Sequence, residues 1–440
     1  MSHTSQFSLL AQRRFLPFFI TQFLGALNDN IFRNGFVILI TFQGISILGM
    51  DHTILANFAA FLFTLPFFLF SATAGQIADK YEKSMLMRRI KLLEIGLISF
   101  AAIVLLTRQY SLLLFVLFLT GCQSTLFGPV KYAYLPQKLH TDELVGGNAL
   151  VGSGTYIAII IGLIIGVETV NFRSNQQTIL ALVLVGVSCV GYLTSRQVPL
   201  TKAVDPNLKI NLNMWQETLN IIRLAHKEKS VFISILGISW FWFFGSAMTV
   251  QMPAYVADII NGNESIVTIL LAAFAVGVGL GSLLCERMSG HRIELGLVPL
   301  GSIGMSFFAV DLYFAQPEAA KITINSFTDF INYSGSWRIL IDITLLGAFG
   351  GIYSVPLYAL IQERSNRKHL SRIIAANNII SSLFMVTAVI FSIIIFELGF
   401  SITELFLFIA ALNAIAAIYI YSRLPEFLVR LLAWLNIKFF

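Results

Sequence analysis

"GPVKYAYLPQKLHTDELVGGNAL", residues 128–150, returns in the second half of the chain as "VPLYALIQERSNRKHLSRIIAANNI", residues 355–379. Each copy holds a proline, a Tyr-Ala pair, a charged turn and then a small-residue helix start carrying asparagine. A second, weaker echo links "GQIADKYEK" at residues 75–83 to "GSLLCERMSG" at residues 281–290. Internal repeats at corresponding places in two halves point to a duplicated architecture. The sequence between the copies says what kind. Hydrophobic residues make up 57% of the 440 positions and charged residues 12%, with a mean hydropathy of +0.80. A soluble domain carries roughly 25% charge, so the composition implies an integral membrane protein.

Apolar windows of about 20 residues are long enough to cross a bilayer. They occur near 16–45, 53–78, 90–107, 111–135, 148–170, 177–196, 230–258, 265–285, 294–315, 339–362, 372–397 and 403–422. The expected fold class is therefore an all-α polytopic membrane protein, with twelve transmembrane helices in two pseudo-symmetric six-helix bundles. The expected domains are an N-terminal bundle over 1–196, a cytoplasmic linker over 197–229, a C-terminal bundle over 230–424 and an interfacial tail over 425–440. The first apolar stretch follows Arg13-Arg14 and shows no small-residue cleavage site, so it reads as a spanning helix. With the N-terminus in the cytoplasm, about 23 of the 29 Lys and Arg residues fall inside, among them the loop charges Lys80, Lys83, Arg88, Arg89 and Lys91. Arg108, Arg173, Lys321 and Arg338 fall outside, and Arg33 and Lys131 lie within spans. That asymmetry predicts cytoplasmic location for both termini. The net charge of +6 is accounted for by these loops and implies no nucleic-acid partner.

Two spans carry groups that hydrocarbon should exclude. In "FLGALNDNIFRNGFVILI", residues 23–40, the consecutive Asn28, Asp29 and Asn30 spread over a broad helical arc suited to a wet cavity wall. Arg33, four residues beyond Asp29, can approach it along one face. The alternatives are a self-satisfied Asp29–Arg33 pair and a site facing a central cavity. Lys131 follows Gly128-Pro129, which can break the fourth span and free backbone groups. Its ammonium either attracts a phosphate or carboxylate, pairs with Asp29, or snorkels to the interface. Gly75, Asp79, Lys80 and Lys83 form a G-x-x-x-D-K turn after the second span. Gly75 allows close helix approach, and Asp79 can bond helix-terminal amides, so the turn reads as a gating latch. In the second copy Cys285 takes the place of the acid and Glu286 follows, so the two latches should differ in strength. Gln251 is the one plain polar residue deep in "SWFWFFGSAMTVQMPAY", residues 239–255, whose rings either line an acyl-chain pocket or pack. Asp311 and Asp342, toward the outer ends of their spans, admit structural or exit-gate roles.

Several chemistries are absent. No Gly-Lys dipeptide exists, so there is no phosphate-cradling P-loop. The six histidines are scattered without metal-site spacing, and none has the Asp five residues on that a glycerolipid acyltransferase requires. Cys122, Cys189 and Cys285 lie far apart in apolar runs and suggest no disulfide. No catalytic residues, metal or cofactor are expected, and the chain reads as a mover of molecules rather than an enzyme.

The G-x-x-x-D-K turn and the six-plus-six layout resemble the major facilitator superfamily. Five stretches resemble its lysophospholipid transporter family, above all the membrane domain that is fused to an acyltransferase and an acyl-carrier-protein synthetase. They are "FLGALNDNIFRNGFVILITF", "GQIADKYEK", "FGPVKYAYLPQ", "IELGLVPLGSIGMS" and "GGIYSVPLYALIQERS" with "RIIAANN", and together they reach across nearly the whole chain. The resemblance implies flipping of lysophospholipid, chiefly lysophosphatidylethanolamine, from the outer to the inner leaflet of the bacterial inner membrane by a monomer. Asp29 and Lys131 match the family's intramembrane acid and base. The family's arginine on the seventh span has no counterpart between Ser230 and Tyr255, where Gln251 is an approximate substitute. The tail "LPEFLVRLLAWLNIKFF" resembles the connector into the acyltransferase of fused proteins. It implies either a separately encoded acyltransferase partner or a free-standing transporter. Two rival readings are a proton-coupled exporter of drugs or siderophores, using Asp29 as its protonation site, and a membrane anchor for a lipid enzyme.

Overall fold

The computed structural model describes residues 5–42, 52–171, 175–315, 327–332 and 335–439. Arg173, Lys321 and most of the connection over 316–338 lie outside the described residues. Among the described residues there is no strand, and twelve helices run eighteen residues or longer. They are α1 (Leu16–Phe42), α2 (His52–Lys80), α3 (Lys83–Leu106), α4 (Tyr110–Lys138), α5 (Leu144–Asn171), α6 (Gln176–Ser195), α8 (Lys229–Val250), α10 (Glu264–Ser289), α11 (Leu297–Phe314), α13 (Ser336–Arg364), α14 (Leu370–Glu397) and α15 (Ile402–Arg423). Four shorter helices complete the set: α7 (Met214–His226), α9 (Met252–Tyr255), α12 (Phe327–Asn332) and α16 (Glu426–Phe439). Ten of the long helices are apolar and long enough to cross a membrane; α1 and α3 are not among them. Their polar positions are the reason: Asn28 to Asn34 interrupt α1, and Lys91 and Glu94 stand well inside α3.

The sequence repeat is a structural repeat. α4 ends at Lys138, a 3-10 turn covers Thr141–Glu143, and α5 starts at Leu144. In the second copy α13 ends at Arg364, a 3-10 turn covers Arg367–His369, and α14 starts at Leu370. The expected break at Gly128-Pro129 does not occur. α4 runs unbroken through Pro129 and Pro136, as α13 does through Pro356. A proline removes one helical hydrogen bond, and packed neighbours can absorb that loss. The break comes instead in the seventh span. α8 stops at Val250, Gln251 caps the short α9 with Pro253 in its first turn, and a π turn over Val256–Ile260 follows. Asn261 ends it in the left-handed conformation at φ 54°.

The chain divides into two compact units, each built from three segments. Unit 1 comprises residues 1–140, 157–228 and 364–382, and unit 2 comprises residues 141–156, 229–363 and 383–440. Each unit thus takes in a helix end that lies far along the chain. In unit 1, α2 packs on α4, α3 on α4 and α6, and α1 on α6. Their shared core includes Phe32, Phe36, Leu105, Val116, Leu117 and Leu184. The 197–213 part of the linker is a strap rather than a free tether. Arg88 donates to the Val198 carbonyl at 3.1 Å, and Lys138 to that of Leu200 at 2.6 Å. Glu82 accepts from both the amide and the hydroxyl of Thr201, at 2.7 and 2.6 Å. The amides of Val204 and Asp205 reach the Asp79 carbonyl, and Gln76 exchanges two hydrogen bonds with the Asn211 backbone.

In unit 2, α11 packs on α15, and α10 meets α13 through small residues. A Cβ on Gly277 or Gly281 would overlap the carbonyls of Thr344 and Ala348, and one on Gly347 or Gly351 would overlap those of Phe274 and Val278. Lipid supplies little hydrophobic drive between helices, so van der Waals contact of this kind holds them together. α16 docks through Trp434, whose indole donates to the Met288 carbonyl at 3.0 Å. Gly281→Val should therefore be destabilising by at least the 1–3 kcal/mol typical of overpacking. In detergent melting it should unfold several degrees below wild type, while Gly96→Ala, where an added Cβ meets nothing within 4 Å, should melt unchanged.

Candidate functional site

The polar positions of α1 divide into a dry group and a partly exposed one. Asn28 is fully buried and donates to Glu94 Oε1 of α3 at 3.2 Å. Glu94 also pairs with Lys91 at 2.7 Å and accepts from Gln123 of α4 at 3.2 Å, and both charged side chains of the pair are 2% exposed or less. Three helices thus converge on one carboxylate. A Cβ on Gly25 would sit 2.7 Å from Lys91 Nζ, so glycine there leaves room for the ammonium, which also lies 5.8 Å from the Phe127 ring. The Asn28 carbonyl oxygen has no hydrogen-bond partner. Counting Lys91 among the cytoplasmic loop charges is therefore corrected. It stands eight residues into α3, about 12 Å along the helix, inside the bundle.

Next to this hub, Asp29 accepts a 2.5 Å hydrogen bond from Ser124 of α4. The Ser124 hydroxyl also lies 3.4 Å from the side-chain carbonyl of Gln123, so hub and carboxylate are joined through adjacent residues of one helix. Asp29 feels the charges of Glu94, Lys91 and Arg33. Arg33, however, makes its hydrogen bond to Asn30 Oδ1 at 2.9 Å and lies over the Phe63 ring. Among the described residues no ion pair joins Asp29 to Arg33, so the self-satisfied pair is not formed. Asn30 in turn donates to the Ala26 carbonyl at 2.8 Å. Lys131 is partly exposed, with its ammonium 4.8 Å from the Tyr132 ring and within electrostatic reach of Asp29. Asn28, Asp29, Asn30, Arg33 and Lys131 are thus all in unit 1. Gln251 belongs to unit 2, at the break between α8 and α9.

The aromatic run around Gln251 is packed. Trp240 donates to Asn413 at 2.6 Å and stacks on Phe243 at 4.8 Å, and Tyr255 packs against Phe406. At one end of unit 2, Arg338 forks onto Asp311 at 2.6 and 3.2 Å, and Asp342 is buried with Oδ2 unpartnered.

The turn residues share a second network. A Cβ on Gly75 would meet Arg372 Cα at 2.9 Å, so its absence admits the N-terminus of α14. Asp79, fully buried, accepts from the Ser371 amide at 3.1 Å and from Arg372 Nε at 2.9 Å. Lys83 is buried with its ammonium on the Ala78 carbonyl, and Lys80 lies over the Tyr81 ring. The second copy lacks this arrangement: Glu286 pairs locally with His291 at 2.5 Å. Sequence reasoning missed Lys91, Glu94, Gln123, Ser124 and Arg372. The first two carried a signal, a Lys and a Glu three apart in an otherwise apolar run; the others are ordinary polar residues.

The twelve long helices among the described residues, ten of them apolar enough to cross a bilayer, are those of a multi-pass membrane protein. The fold matches a crystal structure of the major facilitator superfamily transporter FucP, at a TM-score of 0.69 and 12% identity, over 94% of this chain and 99% of that one. It also matches the human organic anion transporter MFSD10, at a TM-score of 0.69 and 12% identity, over 93% and 99%. The profile of the transmembrane secretion effector family matches residues 58–337. The chain belongs to that family, within the major facilitator superfamily. Among curated relatives, the lysophospholipid transporter LplT of Photorhabdus laumondii is 25% identical over 308 residues, 69% of each chain. That of Klebsiella pneumoniae is 24% identical over 358 residues, 77% of this chain and 82% of the relative.

Breaking a buried ion pair from one side leaves the other charge stranded, at about 3–5 kcal/mol. Glu94→Gln should accordingly lower the melting temperature markedly, and Lys91→Met combined with Glu94→Gln should recover most of the loss. A second test concerns Glu82, outside the spans. Partial burial pushes its carboxyl up, but the hydrogen bonds from Thr201, Ser84 and Met85 outweigh this and hold it below its ordinary value. A depressed carboxyl stabilises the docked strap above its unfolded pKa, and that contribution disappears as pH falls through the folded value. Hydrogen exchange at the Thr201 amide, corrected for its intrinsic rate, should rise on acidification below about pH 4, and Glu82→Gln should show the rise already at neutral pH.

Proposed function

We propose that the chain is a lysophospholipid transporter working by alternating access, and that it carries lysophosphatidylethanolamine-like lipid from the outer to the inner leaflet of a bacterial inner membrane. The observation that supports this reading most is the presence, among the described residues, of unpaired charges of both signs on α1 and α4. Asp29 is held by Ser124, while Arg33 and Lys131 have no carboxylate bound to them and keep some exposed surface. A zwitterionic head group needs an acid for its ammonium and cations for its phosphate, and Asp29 with Arg33 and Lys131 offers both. The names of the relatives agree with this substrate class. Gln251, at a break in the seventh span, is also assigned to substrate binding, where its amide offers a donor and an acceptor without charge. Gly75, Asp79, Lys80 and Lys83 are assigned to gating through the contacts with Ser371 and Arg372. The working parts are taken to be the bundles 1–196 and 230–424, with 197–229 joining them and both termini cytoplasmic.

Uptake of labelled lysophosphatidylethanolamine into spheroplasts tests this directly. Asp29→Asn and Lys131→Ala should each reduce uptake by about tenfold or more, as loss of a desolvated charge contact would. Equal uptake in all three proteins would remove both residues from the mechanism. In proteoliposomes, transport that depends strongly on an imposed pH gradient and shows no response to lysolipid would favour proton-coupled export of another compound.

A further inference from the structure

The linker helix α7 presents three faces at roughly 100° per residue. Glu217, Ile221 and Ala225 are buried and form one face, which docks on unit 1 beside α2. Gln216, Asn220 and Arg223 are exposed and form a polar face. Between them runs a strip that is apolar and uncovered: Trp215 is 65% and Leu219 54% exposed, with Ile222 partly exposed beside them. Leu212, just before the helix, is 78% exposed. A Trp and a Leu left open to water on a helix with a fully used docking face call for a cover.

The position of the strip says what the cover is. The Asn211 backbone is clamped to Gln76 of α2 by hydrogen bonds of 2.7 and 3.1 Å. The Trp215 ring meets Phe68 edge-on at 6.0 Å, eight residues further into that span, or about 12 Å along the helix. The strip therefore lies alongside a segment of α2 that is long and apolar enough to cross a membrane. Its rim is basic: Arg223 and Lys227 are exposed one turn apart, with Lys209 and Lys229 exposed in the flanking chain. Exposed Glu228 is the acidic residue among them, because Glu217 is turned inward and accepts from Asn220. Apolar rings at the acyl boundary with cations at phosphate height are the chemistry of a helix lying in an anionic leaflet.

We infer that α7 is a membrane-surface helix, with Trp215, Leu219 and Ile222 set into the leaflet and Arg223 and Lys227 on the phosphates of anionic phospholipid. The linker then holds unit 1 to the lipid surface as well as joining the chain's two bundles.

Spin labels test the placement in the full-length chain. Leu219→Cys, Ile222→Cys, Gln216→Cys and Asn220→Cys would be labelled singly, with the native cysteines kept and their background signal subtracted. The proteins would be placed in nanodiscs of phosphatidylethanolamine and phosphatidylglycerol. The expected result is a ratio of oxygen to nickel-chelate collisions several-fold higher at 219 and 222 than at 216 and 220. Adding Arg223→Glu should lower the ratio at 219 in these discs and leave it unchanged in phosphatidylcholine discs. Nickel access at 219 equal to that at 220 would place the strip in water and overturn the inference. Screening of 219 from both reagents would mean a protein cover and would overturn it equally. A response to Arg223→Glu that is the same in both lipids would overturn the anionic contact.

Discussion

A charge in hydrocarbon must find a partner or water, and unit 1 is organised around one place where it finds a partner. Glu94 receives the Lys91 ammonium from its own helix, the Asn28 amide from α1 and the Gln123 amide from α4. A carboxylate has enough lone pairs for all three, so the group that would be the most costly to bury becomes the point at which three helices are registered. Sliding any of them by one residue would cost one of these contacts. Both charged side chains of the pair are 2% exposed or less, and this exclusion of water strengthens each contact further.

The hub also explains why its neighbours are free to do something else. Asn28 and Asp29 are adjacent, yet a helix turns them about 100° apart. One faces the dry carboxylate, and the other meets Ser124. Gln123 and Ser124 repeat that division on α4. Register fixed by the buried pair therefore sets where Asp29 stands relative to Lys131 on the same α4.

The turn after α2 meets its charge in a different way. Asp79 is buried but sits where helix-terminal amides and an arginine are available, so its charge is met by an N–H of α14 and the Arg372 guanidinium. Its own carbonyl carries the strap through Val204 and Asp205. Side chain and main chain of one residue thus bind two separate segments. In the repeat copy Glu286 lies one position later in the turn and pairs with nearby His291 instead. Displacement of an acid by one residue rotates it away from the partner that the first copy holds.

Much was legible in the sequence because the bilayer allows so few solutions. Apolar runs of sufficient length, a Pro/Tyr-Ala/Asn repeat and a G-x-x-x-D-K turn were enough for the helix count, the duplication and the superfamily, and Asp29 and Lys131 stood out as charges in apolar surroundings. What the sequence left open is which charge meets which. Spacing left Arg33 either paired with Asp29 or beside a cavity-facing acid, and it bonds Asn30; Gly128-Pro129 was expected to break its helix and does not, whereas Gln251 marks a break that composition did not show. Lys91 was assigned to a loop because hydropathy counts residues along one chain. Lys91 pairs with Glu94 of its own helix, and Asn28 and Gln123, from two other helices, reach the same carboxylate only through packing.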